Sequence, residues 1–435
     1  MNLGIRGGFA RAMGRTASWA SRASGRGSGG MIGGRVAMAL DPSLLAKVSV
    51  GKKVVIVTGT NGKSTTTAML REALMSVGSV ASNVHGDNMT DGVLAAMLEN
   101  PNAEYAVLEV DELYVPRIAK MVKPAGFVLL NLSRDQLDRV GEMSTVEARI
   151  RQAVEENPDA FVVANCDDPL ITSAAWDSPN AIWVGAGATW TSDSVTFPRA
   201  GTPVVHTKSH WHVPEDPKYS RPIPQWSLDG KKLLHGEPGT DQEEYLLALA
   251  LPGRANRGNA AQAIAAAHAL GVKIDDAIGQ VGHVSQVSGR YSRENLDGRL
   301  TRILLAKNPA GWQESLSMLA TQHVEERFED GEEVAAPASI ILSVNGQVGD
   351  GEDLSWLWDV DFSILHEHDG PIIVCGERGA DMAVRLLYEG IDCEVVETTT
   401  DAVNRAPIGS VDLLANYTAF RDFKAAIPHD FGKEK

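Results

Sequence analysis

Four consecutive branched apolar residues, Val54-Val55-Ile56-Val57, run into Gly59-Thr60-Asn61-Gly62-Lys63-Ser64, and helical spacing follows at Met69, Leu70, Ala73 and Leu74. An unbroken apolar run of this length reads as a strand buried on both faces. A glycine-rich turn between such a strand and a helix points backbone N–H groups at phosphate oxygens, and the helix dipole adds to their pull. Lys63 then reaches the outer phosphates of ATP, and the Ser64 hydroxyl is the Mg²⁺ ligand. The usual G-x-x-x-x-G-K-[ST] pattern places glycine at position 57, where this chain has Val57.

A magnesium site needs a further acid. Tyr105-Ala106-Val107-Leu108-Glu109-Val110-Asp111-Glu112 offers one, because Glu109 falls inside an apolar strand, where a carboxylate is costly unless paired or metal-bound. An edge-strand carboxylate facing water is the plainer alternative. Asp111 and Glu112 are expected to serve locally at the strand end.

Beyond residue 53, short β-rich runs alternate with helical stretches, the signature of an α/β fold with parallel sheets. Strands are expected at Tyr105–Val110, Gly126–Leu130, Ala160–Ala164, Ala181–Val184, Ser339–Val344, Pro371–Cys375, Cys393–Val396 and Asp412–Ala415, and an alanine-rich helix at Asn259–Leu270. Residues 186–240 break the rhythm with proline, threonine, tryptophan and histidine and predict an inserted small β unit or long loop. The expected organisation is a basic arm and lead-in over 1–50, an ATP-binding central domain over 51–295, and a C-terminal Rossmann-like α/β domain over 300–435. The acidic stretch Glu325–Glu333 reads as a solvated loop.

The chain has a net charge of −16, which disfavours nucleic acid as a partner. The charge is uneven, since residues 1–40 contain six arginines and no acid. This basic start lacks an apolar run of signal-peptide length, and no segment reaches the roughly 20 apolar residues that span a membrane. It reads as a flexible or partly helical arm, with contact to anionic lipid as the sharper alternative. Cys166, Cys375 and Cys393 lie far apart without C-x-x-C spacing, which excludes a disulfide framework and a mainly cysteine zinc site and suits a reducing cytoplasm. A metal reading of His206, His210 and His212 is set aside for a loop reading.

Gly59–Thr65, GTNGKST, resembles the shortened phosphate loop of the Mur ligases and folylpolyglutamate synthases, which accept a non-glycine at the first site. Asn131–Glu142 is similar to their N-x-x-x-D-x-x-D-x-x-G stretch, Asn165-Cys166-Asp167-Asp168-Pro169 to their N-x-D-D-P turn, and Gly253–Ala261 to their nucleotide-contacting G-x-x-N-x-x-N-A segment. Three further segments, Leu305–Gly311, Asp350–Asp359 and Asn416–Ala419, resemble the MurT family, the synthetase subunits of lipid II isoglutaminyl synthase. The MurT resemblance runs from about residue 30 to the C-terminus.

The resemblance implies a Mur ligase-like fold and ATP-dependent amidation of the D-glutamate α-carboxylate of the lipid II stem peptide. It implies ammonia from a separate GatD-like glutaminase, and a lipid-linked substrate met at the inner face of the membrane. It assigns Gly59, Thr60, Asn61, Gly62, Lys63, Ser64 and Thr65 to ATP, Ser64 and Glu109 to Mg²⁺, and Asn256, Asn259 and Arg290 to the nucleotide. Helix capping by Asn259 and a surface ion pair at Arg290 are the alternatives. Lys63, Glu109 and Asp353 are the catalytic candidates, with Asp353 completing the partner's Cys–His pair in trans. Asp350 and Asp359 are rivals of Asp353, and loop capping is the plainer role. Trp356 and Trp358 are expected to pack or to meet the partner. The zinc ribbon that many relatives carry has no cysteines to build it here, so no structural zinc is expected. No cysteine stands in a glutaminase-type turn, so glutamine use requires a partner. A stand-alone ligase adding an amino acid to a Mur-type or folate substrate stays open as the alternative, as does a nucleotide-binding scaffold without chemistry.

Overall fold

The computed structural model describes residues 3–23, 30–83, 87–134, 143–187, 190–207, 210–285, 291–326, 338–351 and 353–431. The chain forms two compact units, residues 1–133 with 141–285, and residues 134–140 with 286–435.

The first unit is built on nine strands: β1 Lys53–Thr58, β2 Val80–Ser82, β3 Tyr105–Glu109, β4 Gly126–Leu129, β5 Phe161–Asn165, β6 Ala181–Gly185, then β11 Trp226–Asp229, β12 Lys232–His235 and β13 Glu243–Leu246. Their order is β13-β12-β11-β6-β5-β4-β1-β3-β2. β1 lies between β3 and β4, parallel to both, with Val57 opposite Glu109 and Val128. Its apolar residues are buried because helices cover both faces of a parallel sheet. Only β12 runs against the others, antiparallel to both β11 and β13. Residues 186–240 thus divide in two. The short pairs β7 Thr196–Phe197 with β8 Thr202–Pro203 and β9 Val205–His206 with β10 Trp211–His212 enclose a small aromatic core. Phe197, Trp211 and Tyr219 form that core. From Trp226 the chain rejoins the main sheet beside β6.

The basic start is helical: α1 Gly4–Ala23 and α2 Gly30–Leu40 pack against each other. Glycines let the two backbones approach. A Cβ at Gly14 would stand 2.8 Å from the Gly33 carbonyl oxygen. The alanine-rich helix starts earlier than its composition suggests, spanning Arg254–Ala269, so Asn259 lies in its second turn and is not a cap.

The second unit has the sheet order β14-β15-β19-β16-β17-β18, with β14 Tyr291–Leu296 antiparallel to β15 Arg299–Leu305 and the rest parallel. The parallel members are β15, β16 Ser339–Ser343, β17 Ile372–Cys375, β18 Glu394–Val395 and β19 Gly409–Ala415. The β14–β15 hairpin and the helix Pro309–Glu326 have no counterpart in the sequence expectations. Of the acidic stretch Glu325–Glu333, residues 325 and 326 end this helix and the remainder lies outside the described residues. Trp312 is fully buried on this helix and meets Trp356 at 5.8 Å between ring centroids. Trp312→Ala is expected to destabilise this unit by about 3–5 kcal/mol, read as a lower denaturant midpoint for a probe placed in residues 338–431.

Candidate functional site

β1 ends at Thr58, and the chain turns through two residues that need the left-handed region. Gly59 has φ +132° and Gly62 φ +87°. A Cβ at Gly59 would stand 2.8 Å from the Asn131 carbonyl oxygen, and one at Gly62 2.5 Å from Asn259 Oδ1. Side chains at these positions would be strained in backbone and blocked in space. Val57 is a buried residue within β1, paired with Glu109 and Val128, so the turn starts only after it and a glycine there is dispensable.

The loop is interlocked with the chain leaving β4. The Asn61 amide donates to Asn131 Oδ1 at 3.0 Å, and Asn131 Nδ2 donates back to the Asn61 carbonyl at 3.0 Å. The Thr60 amide donates to the Asn131 carbonyl at 2.8 Å, and Ser133 exchanges hydrogen bonds with Thr60 at 3.0 Å. One residue on, the Leu132 amide donates to Asp168 Oδ2 at 2.8 Å. Asp168 Oδ1 accepts the Leu170 and Ile171 amides and caps the helix Pro169–Ala175. Burial pushes the Asp168 carboxyl up to about 6, against the pull of its three backbone donors. The neighbouring Asp167 receives the Gly187 amide at 2.7 Å and pairs with Arg221. Four separate sequence segments therefore meet at one edge of the sheet: 59–64, 131–133, 165–169 and the helix carrying Asn259.

Lys63 opens the helix Lys63–Met75 and is buried. Its ammonium donates to the Gly59 carbonyl at 2.6 Å and the Thr60 carbonyl at 3.2 Å, and pairs with Glu112 at 2.9 Å. Glu112 was not expected to reach the loop. The signal was the second acid directly after the strand, which the short 3₁₀ turn Glu112–Tyr114 swings toward Lys63. Asp111 keeps the local role expected of it and accepts the Leu113 amide at 3.1 Å. Glu109 ends β3 beside Val57 and is 2% exposed, with its backbone held by both ends of the Asn83 amide. Its carboxylate has no hydrogen bond or ion pair among the described residues, and neither has the half-buried Ser64 hydroxyl. A buried carboxylate in this condition and a hydroxyl on the loop helix suit a hard divalent cation with oxygen ligands. Thr65 is buried in the same first turn.

Asn256 is half-buried and donates to the Pro252 carbonyl at 2.6 Å, within its own helix start. Arg290, its neighbour Gly289 and residues 135–142 lie outside the described residues. His206 and His210 line a cavity of about 390 Å³ with Arg221, Arg254 and Arg257, and His206 Nε2 lies 3.2 Å from Ser194 Oγ. Among the described residues no group of three or more metal-ligating side chains is found.

In the second unit, two further loops are tied together at the carboxyl ends of parallel strands, where open α/β sheets form their sites. The Asn345 amide donates to Asn416 Oδ1 at 3.0 Å, and Asn416 Nδ2 donates to the Asn345 carbonyl at 2.6 Å. Asp350 is buried and holds the Thr418 amide at 2.8 Å and its hydroxyl, which removes Asp350 as a rival to Asp353. Asp353 is exposed and accepts the Ser355 amide at 2.8 Å, so it does cap the turn before Ser355–Trp358. That bond and the Ser355 hydroxyl hold its carboxyl below the usual range, leaving an ionised group at the surface. Trp356 is buried, whereas Trp358 is exposed and lies against the exposed Tyr388.

All three thiols are held above the ordinary thiol range. Burial, with Asp167 adding to it, pushes Cys166 up to about 12, and burial pushes Cys375 up to about 11. Cys393 is raised by burial and by Asp392.

Glu112 occupies the Lys63 ammonium at the position where the sequence expectation puts phosphate. Glu112→Gln is expected to tighten Mg-ADP binding severalfold by calorimetry, and Gly62→Ala to weaken it at least tenfold; weakening beyond tenfold in Glu112→Gln would instead make Glu112 a direct part of the site.

Comparison with known proteins bears on the fold and the family of each segment. The Mur ligase middle domain family matches residues 57–214, and the MurT ligase C-terminal family matches residues 305–420. The chain is 28% identical over 440 residues to the lipid II isoglutaminyl synthase (glutamine-hydrolyzing) subunit MurT of Streptococcus pneumoniae, with 94% of each chain covered. Among solved structures it shares the fold of a pseudomurein peptide ligase type C from Methanothermus fervidus (TM-score 0.64, 19% identity, 89% of this chain and 80% of that one). It also shares the fold of MurF ligase from Thermotoga maritima in complex with ADP (TM-score 0.60, 16% identity, 91% and 84%). The chain thus has the Mur ligase fold, with a match to the Mur ligase middle domain family around its glycine-rich loop and a match to the MurT ligase C-terminal family over residues 305–420.

Proposed function

We propose that this chain is the synthetase subunit of a glutamine-dependent carbon–nitrogen ligase that amidates the D-glutamate α-carboxylate of lipid II, using ATP. The observation that carries the reading is the buried Lys63 at the head of an interlocked, positive-φ phosphate loop, in a chain whose length is matched by a MurT subunit. The substrate carboxylate attacks the γ-phosphorus of ATP, the bond to the β-phosphate oxygen breaks, and ADP leaves. Ammonia then adds to the acyl phosphate carbonyl, inorganic phosphate leaves with one former carboxylate oxygen, and a proton is released. Lys63 neutralises the charge on the transferring group, which is where such enzymes gain most of their rate. Mg²⁺ held by Ser64 and Glu109 would add Lewis-acid stabilisation of the same oxygens. Asn259, set against Gly62, borders the nucleotide; Asn256 and Arg290 are kept as further nucleotide contacts.

Ammonia is supplied by a glutaminase partner, because none of the three cysteines of this chain is positioned or ionised as a nucleophile. Asp353, exposed and ionised in the second unit, orients the partner's catalytic histidine. The exposed group Trp358, Val384, Leu387 and Tyr388 gives the partner an aromatic contact surface. The site of action is the cytoplasmic membrane face, where lipid II presents its stem peptide. A stand-alone amino-acid ligase is disfavoured by the position of Asp353, which faces solvent on a capped turn.

The test is amidation of lipid II by the purified chain. Ammonium should suffice alone, glutamine only after a glutaminase subunit is added. Lys63→Met should lower both reactions by a hundredfold or more, on the order expected for loss of a phosphate-stabilising charge. Asp353→Asn should lower glutamine use by roughly a hundredfold or more and spare ammonium use. Equal loss of both would move Asp353 into the fold or the synthetase site, and transfer of a free amino acid with no amidation would overturn the function.

A further inference from the structure

The first helix presents its large apolar residues to the outside. Ile5 is 96% exposed, Phe9 58%, Met13 40% and Trp19 68%. At 3.6 residues per turn these four positions fall within a stripe about 120° wide. The opposite side of α1 is made of small buried residues, Gly7, Ala10 and Gly14, with Gly14 set against Gly33 and Ala37 of α2 and Gly7 against Asp41 and Leu44. A helix that only needed to fold onto its neighbours would place its bulk the other way round. Arg6 and Arg15 are exposed and flank the stripe on either side, about 80–100° from its centre at 3.6 residues per turn. No acid occurs in residues 1–40, although the whole chain has a net charge of −16.

We propose that the apolar stripe of α1, with its flanking arginines, is a membrane-docking surface that lies in the interface of an anionic bilayer. Among the described residues no helix is long and apolar enough to cross a membrane, so the contact is interfacial. A large apolar face with cationic residues beside it is the composition of helices that lie in the headgroup boundary. The arginines also solve an electrostatic problem, because a chain this acidic is repelled by an anionic surface unless it approaches basic side first. Trp19 suits the boundary, where an indole has both an apolar and a polar environment. This inference gives the proposed lipid-linked substrate a means of approach, and in that respect it rests on the proposed function. The surface itself is argued only from α1.

The experiment is flotation of the full-length chain with vesicles of phosphatidylcholine alone or with 30% phosphatidylglycerol, a composition of about one anionic lipid in three. The wild-type chain should float with the anionic vesicles, at least tenfold less with neutral ones, and should be released by high salt. Phe9→Glu with Trp19→Glu should lower flotation at least tenfold, and Arg6→Gln with Arg15→Gln should lower it on anionic vesicles only. Both variants should keep the wild-type melting temperature and Mg-ADP affinity. Unchanged flotation of the Glu variant, or no flotation of the wild type, would overturn the proposal. So would a wild-type dimer that the Glu variant breaks, or loss of glutaminase binding with flotation intact. Because flotation reads no chemistry, a failed amidation assay leaves it standing, and failed flotation leaves amidation of a water-soluble substrate analogue standing.

Discussion

The reciprocal pair of hydrogen bonds between Asn61 and Asn131 is the constraint from which the rest of the first unit follows. A loop with two positive-φ glycines gives up more conformational freedom than other segments, and it needs outside partners to keep one shape. Asn131 supplies them from the end of the neighbouring parallel strand, using its side-chain amide and its own carbonyl. Leu132 passes the connection to Asp168, whose three accepted amides anchor the next helix. The loop is thus held at the carboxyl ends of central strands, with its Thr60 and Asn61 amides engaged by Asn131, so its shape is fixed by the protein itself.

Charge at this edge is arranged in pairs that ligand binding can exchange. Lys63 is held by two carbonyls and Glu112, a state suited to a buried ammonium with no phosphate nearby. Glu109 sits one strand over with its carboxylate unmatched among the described residues, as a cation site requires. The second unit uses the same device for a different end. Asn345 and Asn416 lock two loops at the carboxyl ends of adjacent parallel strands, and Asp350 fastens Thr418, so that Asp353 is left at the surface. In the second unit the polar groups that shape the loops are buried, while Asp353 stays exposed.

Much of this was legible in the sequence for physical reasons. The strand at Val54–Val57 announced itself because residues buried on both faces have no polar alternation to hide them. The loop was legible because only glycine fits at positions 59 and 62, and Asn131 stood out within its motif. Glu112 was not legible. Its approach to Lys63 depends on a one-turn 3₁₀ segment whose direction no periodicity encodes. Asp353 was preferred to its rival Asp350 by motif resemblance alone, since the Asp350 contacts with Thr418 and the exposure of Asp353 at Ser355 are tertiary facts. The early start of the Arg254–Ala269 helix was hidden by Gly258, which is placed there because the Ala186 carbonyl passes too close for a side chain. In the N-terminal segment, read in sequence as flexible or partly helical, glycines are what let two helices meet.

The account centres on the claim that the Lys63 loop drives formation of an acyl phosphate on the substrate. The most direct measurement uses lipid II with its D-glutamate α-carboxylate labelled with ¹⁸O, Mg-ATP and ammonium, followed by mass analysis of the released phosphate. The account predicts one ¹⁸O atom transferred to inorganic phosphate for each amide formed. Amide formation with unlabelled phosphate would contradict it.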